Sequence, residues 1–304
     1  MATIAEQLTS LANTKAAIKD AIVAKGVQVT DDVPFSGYPT KIGEISGGGA
    51  PTTKYGMTID NIFGDEDETY GLQNSTWLFT ADFTGVKKIG HNGLSYKFAV
   101  SGTYYGVYVE KILMPDVVAV ESQGCHYLAK GTYQLKEVDI SSLTVISTPG
   151  AFTDAFNGCG QLTVVKMDKV TTISGSSSCQ NMFYGAVSLS QFPLENLVSI
   201  SGVQSCDGMF TNTAFETVTF RNLVSITGTD PVRSMFTSAK VKKAYFPMLT
   251  ELDSNVFRSS RQIFASCTAL EEIHFRADMQ AAVEAQPGYA SKLGATNATI
   301  YFDL

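Results

Sequence analysis

Apolar positions along this chain return with a period of about 28 residues between Phe98 and Phe275. An aromatic recurs first, at Phe98, Tyr127, Phe156, Phe183, Phe210, Phe236 and Phe264, with gaps of 29, 29, 27, 27, 26 and 28 residues. An apolar triplet spaced i, i+3, i+5 follows each aromatic, as in Leu135/Val138/Ile140, Phe215/Val218/Phe220 and Leu270/Ile273/Phe275. Its last two members alternate as a half-buried strand requires. A shorter unit comes next, in Leu143-x-x-Ile146, Val170-x-x-Ile173, Leu197-x-x-Ile200 and Leu223-x-x-Ile226. One period cannot keep both apolar faces dry by itself, so the periods must stack, each rung closing the core of its neighbour. At about 4.8 Å per rung, seven rungs make a stack of roughly 34 Å. The pattern predicts a mainly β solenoid over residues 91–276, preceded by a β-rich first cap at 55–90 that includes Trp77 to Phe83.

The frame L-x-x-V-x-I/F, then L-x-x-I, then an aromatic followed by cysteine in Phe156-Asn157-Gly158-Cys159 and Phe264-Ala265-Ser266-Cys267, resembles the BspA-type leucine-rich repeat. The resemblance covers roughly residues 80–276. The repeat here is a few residues longer than usual, and Met182-Phe183, Met209-Phe210 and Met235-Phe236 stand where Ala-Phe is common. It implies a leucine-rich-repeat solenoid. For function it implies only the range of such repeats, from bacterial surface adhesins to phage-encoded proteins.

Residues 2–25 carry a different period. Ile4, Leu8, Leu11, Lys15, Ile18 and Ile22 step by 4, 3, 4, 3 and 4, which is a heptad seam. Thr3 and Glu6 fit a capping box, and Gly26 fits a helix stop. Isoleucine in one core column favours three or four strands, and Lys15 would set the register, so a homotrimer is the expected state. The alternative is an amphipathic helix folded back as an end cap on the chain's own solenoid. Residues 1–45 are then an attachment and oligomerisation segment, and Ser46 to Lys54 a glycine-rich linker. The helix ending in Ala-Ile-x-x-Lys-Gly-Val, followed by Phe35-x-x-Tyr38-x-x-Lys41-Ile42 and a glycine run, resembles the N-terminal segment of phage and prophage tail-associated proteins. At the other end, Ala277 to Ala285 predicts a short helix and Ala298 to Asp303 a final strand, a small α/β cap over 277–304.

The formal net charge of −7, without clustered Lys and Arg, argues against nucleic acid or an anionic membrane as the main partner. No run of 18 apolar residues is present, so no membrane insertion is expected. The start of the sequence lacks the basic and apolar blocks of a signal peptide, which points to synthesis in a host cytoplasm. Cys125, Cys159, Cys179, Cys206 and Cys267 form no C-x-x-C pair. They read as small buried rung residues, with a Cys179/Cys206 disulfide between adjacent rungs as the alternative. His91, His126 and His274 lie in different rungs without metal spacing, so neither a metal nor a cofactor is expected. Asp65 to Glu68 is a dense acidic run that fits a solvated turn or a loose cation site.

The strand residue between the last two inward positions points outward, giving a column of Leu113, Asp139, Lys166, Pro193, Thr219, Tyr245 and His274. Tyr245 and His274, flanked by Lys243 and Glu272, are the candidate binding surface, because an aromatic beside charged groups suits a sugar or a protein loop. Tyr104 and Tyr105, in a glycine-flanked group, are a second candidate, as a contact loop or as packing against 55–90. The two resemblances together imply a non-enzymatic phage tail fibre or receptor-binding protein located in the virion. It would contact a bacterial surface protein or glycan through the repeats and other tail or baseplate proteins through the helix. The alternatives are an extracellular, cell-surface BspA-like adhesin and a solenoid enzyme acting on polysaccharide.

Overall fold

The structure is a computed structural model that describes residues 4–23, 28–30, 33–34, 79–100, 109–257 and 262–304. The expected linker, residues 55–78 of the expected first cap, the acidic run and the Tyr104/Tyr105 group lie outside the described residues. The chain divides into two units, Met1–Thr53 and Lys54–Leu304.

In the first unit, α1 spans Ile4–Val23. Ile22 and Val29 are buried together, with Ile18 and Val33 packed against them. Two positions of the heptad seam therefore contact the segment that follows the helix, while Lys15 is half-buried. The side chains of Ile4, Leu8 and Leu11 lie outside the described residues.

The second unit is a mainly β parallel solenoid of about eight turns. One ladder is built from β1 (Phe79–Asp82), β3 (Val109–Leu113), β5 (Glu137–Asp139), β7 (Val164–Lys166), β10 (Thr217–Thr219), β12 (Lys243–Phe246), β14 (Glu272–Phe275) and β15 (Thr299–Phe302). The other is built from the two-residue strands β2 (Lys88–Ile89), β4 (Ala119–Val120), β6 (Val145–Ile146), β8 (Thr172–Ile173), β9 (Ser199–Ile200), β11 (Ser225–Ile226) and β13 (Glu251–Leu252). All pairings among the described strands are parallel, and apart from a shift between Phe79 and Thr80 where β1 meets β3 they hold register, so like positions of successive rungs lie one above another. The first ladder breaks between β7 and β10. Pro193, which has no N–H to donate, occupies the missing strand, and Phe192 is half-buried against Phe210, Phe215 and Phe220.

The register turns the sequence period into continuous side-chain columns. Phe156, Phe183, Phe210, Phe236 and Phe264 stack face to face, with centroids 5.5, 5.7, 5.6 and 5.4 Å apart. Phe220, Phe246, Phe275 and Phe302 form a second stack. The triplets line the same core: Leu135, Val138 and Ile140 are fully buried, as are Val241 and Ala244. Buried apolar area is the main favourable term, and each rung acquires it only through its neighbours.

In most of the described rungs the third side is a series of tight turns whose period is four, whereas the rung after β13 has a 3-10 turn at Ser254–Phe257. In Gly124 to Gly131, buried pairs (Gly124/Cys125, Leu128/Ala129) alternate with half-exposed pairs (His126/Tyr127, Lys130/Gly131). Every second N–H reaches the next rung, as in Cys125 to Ala151 at 2.8 Å and Ala129 to Ala155 at 2.7 Å. The others close turns three residues back. Every fourth residue is left-handed, for example Gly150, Asp154 and Gly158, then Ser177, Asn181 and Gly185. Glycine, Asn and Asp tolerate that conformation best.

This geometry corrects one expected anchor. Phe98 N–H donates to Leu128 O and Ala129 N–H to Ala155 O, so the aromatic column runs Phe98, Ala129, Phe156. Tyr127 lies two residues from the core position, which in a period of four is the opposite side of the chain. It is half-exposed at φ +55°.

After β14 the chain forms a short 3-10 turn at Ala277–Met279, then α2 (Gln280–Glu284) and α3 (Tyr289–Leu293), before β15 pairs with β14. Met279, Val283 and Leu293 join the core. All five cysteines are buried free thiols. Cys125, Phe152, Cys179, Cys206 and Val232 occupy one column, and Cys179 and Cys206 are neighbours in it without a disulfide. Cys159 and Cys267 donate Sγ–H to Ala129 O and Phe236 O of the preceding rung.

Candidate functional site

Residues alternating with core positions on the first ladder face outward. The register aligns Leu113, Asp139 and Lys166 in one file, and Thr219, Tyr245, His274 and Tyr301 in another. Parallel strands lie about 4.8 Å apart, so planar side chains at one position of consecutive strands stack on each other. The rings of Tyr245 and His274 are 4.7 Å apart at 17°, and those of His274 and Tyr301 are 4.7 Å apart at 13°.

Charged groups surround the middle ring. Asp303 Oδ1 lies 2.9 Å from His274 Nδ1, and Glu272 Oε2 lies 3.2 Å from Nε2. A neutral imidazole donates to one of these carboxylates, and an imidazolium donates to both. Lys243 Nζ is 2.8 Å from Glu272. The Lys243 ammonium, then His274, holds the Glu272 carboxyl below its ordinary range, and Glu272 in turn raises Lys243. His274 is only 13% exposed while Asp303 is 52% exposed. The stack therefore presents two tyrosine side chains and an open carboxylate around a held imidazole, a surface suited to apolar contact with adjoining hydrogen bonds.

All four residues predicted from the sequence, Tyr245, His274, Lys243 and Glu272, come together here. Tyr301 and Asp303 are added by the structure. Their segment reads as a cap in the sequence, but Ile300-Tyr301-Phe302 repeats the Ile-x-Phe of Ile273-His274-Phe275, and that echo was the available signal. The other end of the same face differs in character. Lys111 pairs with Glu137 at 2.9 Å, Glu137 with Lys166 at 2.7 Å, and Lys166 with Asp139 at 3.2 Å. Charges satisfied along the ladder leave fewer groups for a partner.

A second surface group centres on Tyr127, which the period of about 28 residues places among the core anchors and the structure places at the surface. Tyr96 stacks on Tyr127 at 4.8 Å, His126 packs edge-on against both, and Lys130 Nζ lies 4.3 Å from the Tyr127 ring centre. Lys130 also pairs with Asp154 at 3.1 Å. Burial lowers the pKa of His126. Among the described residues no group of three or more His, Cys, Asp or Glu is placed to hold a metal ion, and no helix is long and apolar enough to cross a membrane.

No protein-family model matches the chain, and no curated protein matches it. Among solved structures, a leucine-rich cell surface protein from Faecalibacterium prausnitzii A2-165 is similar at 14% identity, over 74% of this chain and 78% of that one, with a TM-score of 0.20. At so low a TM-score the likeness says nothing further about this chain.

Proposed function

We propose that the chain is a non-enzymatic recognition protein of a phage tail, which binds a bacterial surface component through the outward face of its repeats. The observation that carries this reading is the Tyr245–His274–Tyr301 stack, bordered by Lys243, Glu272 and Asp303, on a face whose other end carries the Lys111, Glu137, Lys166 and Asp139 charge pairs. A rigid solenoid holds such rings in place without an ordering cost at binding, which favours affinity. The N-terminal helix supplies a homotrimer and the contact with other tail or baseplate proteins, a role supported by the seam positions Ile4, Leu8, Leu11 and Lys15, since Ile18 and Ile22 pack on Val29 and Val33, and by the resemblance of residues 1–45.

Adsorption of the purified full chain to candidate host bacteria tests the recognition role. Tyr245→Ala, His274→Ala and Tyr301→Ala should each weaken adsorption about tenfold or more, as central aromatic contacts do. Adsorption by all three variants equal to the unaltered protein would remove this face from consideration. The solution mass tests the attachment role separately: the full chain should be a trimer, and a chain starting at Tyr55 a monomer.

A further inference from the structure

The turn side of the solenoid carries a site that this reading does not use. Three successive rungs there surround an open groove of about 470 Å³. Asn181 N–H donates to Asp207 O and Gly208 N–H to Arg233 O, each at 2.8 Å, so Gln180, Asp207 and Arg233 lie in one file along the groove. Asp207 and Arg233 form an ion pair with side chains 7% and 20% exposed, and Gln180 Nε2 donates to the same carboxylate oxygen at 3.2 Å. That leaves acceptor capacity on Asp207 and donor capacity on Arg233, both in fixed positions. The pair is neutral overall, so it selects neither an anion nor a cation.

The middle of the groove depends on Gly208. Its φ is +61°, and a Cβ there would lie 2.4 Å from Asn181 Oδ1. The missing side chain makes room for the Asn181 amide, which has both a donor and an acceptor. The remaining file supplies Tyr184, 40% exposed, as an aromatic wall, and Thr237. Thr237 Oγ1 is closed to solvent and has no hydrogen-bond partner, one of two such side-chain atoms among the described residues. A buried hydroxyl without a partner is unfavourable, and because Thr237 lines the groove, a ligand hydroxyl seated there is a partner it lacks now.

We propose that this groove binds one sugar residue of a neutral saccharide. A sugar ring has hydroxyls that both donate and accept, matching the Asp207, Arg233 and Asn181 groups, and an apolar C–H face that matches the Tyr184 ring. The volume falls in the range of small-molecule sites. The proposal is independent of the outward aromatic stack, since the two sites lie on different sides of the solenoid and share no residue.

Saturation-transfer NMR on the full chain, with free glucose, galactose, mannose and N-acetylglucosamine each titrated to about 50 mM, tests it. At least one sugar should bind saturably, with a dissociation constant in the millimolar range. Thr237→Val, which keeps the shape and removes the unpaired hydroxyl, should weaken that binding about 3- to 10-fold without lowering the melting temperature. Tyr184→Ala should weaken it about tenfold, and Tyr301→Ala should leave it unchanged. Absence of saturable binding by all four sugars, or binding retained in full by both Thr237→Val and Tyr184→Ala, would overturn the proposal.

Discussion

Replacing Phe210 by Ala tests how the solenoid is held together. Phe210 is fully buried, stacked between Phe183 at 5.7 Å and Phe236 at 5.6 Å, with edge contacts to Phe215 at 5.2 Å and Phe192 at 5.8 Å. Truncating a core Phe costs about 3–5 kcal/mol. Four aromatic neighbours lose a partner at once, and the backbone ladders on either side hinder collapse around the cavity, so the upper end, about 4–5 kcal/mol, is expected. With a urea m-value of about 3 kcal/mol/M, the midpoint followed by far-ultraviolet circular dichroism should fall by about 1.5 M. Because rungs stabilise mainly their neighbours, hydrogen exchange should accelerate most near Phe183 and Phe236 and least near Ile89. The sequence period ranks Tyr127 with Phe210, but the structure puts its ring at the surface over Lys130, so Tyr127→Ala should cost no more than about 1 kcal/mol. A Phe210→Ala cost below about 2 kcal/mol, or a Tyr127→Ala cost equal to it, would refute the column assignment.

Gly202 has φ +86°, and a Cβ there would lie 2.4 Å from Ser174 O of the neighbouring rung, whereas Gly85 has φ +92° with nothing within 4 Å. Gly85→Ala should cost about 1–2 kcal/mol from conformation alone, and Gly202→Ala distinctly more in the same urea titration; equal costs would argue against close backbone contact between rungs. Burial pushes the thiol of Cys179 up to about 12 and that of Cys267 up to about 11. Iodoacetamide at pH 8 should therefore label all five cysteines in urea and almost none in the folded chain, as read by mass spectrometry; rapid labelling of the folded protein would contradict their burial. Glu272 has its folded pKa lowered from 4.5, chiefly by Lys243, so its stabilising effect is present above that value and lost as pH falls through the folded one. The melting temperatures of Glu272→Gln and the unaltered chain should differ at pH 7 and converge in acid; a difference that persists at pH 2 would exclude the ion pair as its source.

Much of the core was legible because burial imposes a strict rule on composition. The triplets such as Leu135/Val138/Ile140 and the units such as Leu143/Ile146 are buried where the period places them. The outward positions of Tyr245 and His274 followed from the same alternation, whereas Pro193, expected in that column, is buried where the ladder breaks. The tight-turn side was harder to read, because its period is four and its left-handed positions are filled variously by Gly, Asn, Asp and Ser. There a displacement of two residues exchanges core for surface, which is why Tyr127 resembled an anchor while Ala129 held the position.

By itself the sequence determined that this chain must stack its repeats, since the apolar side chains of one period cannot be kept from water except by the next. Only the tertiary structure decided which residues become neighbours across rungs. The contacts among Tyr245, His274 and Tyr301, and the groove shared by Gln180, Asp207 and Arg233, join positions about 27 residues apart. Their meeting depends on a parallel register set by backbone hydrogen bonds, and a shift of two residues would have put different side chains together.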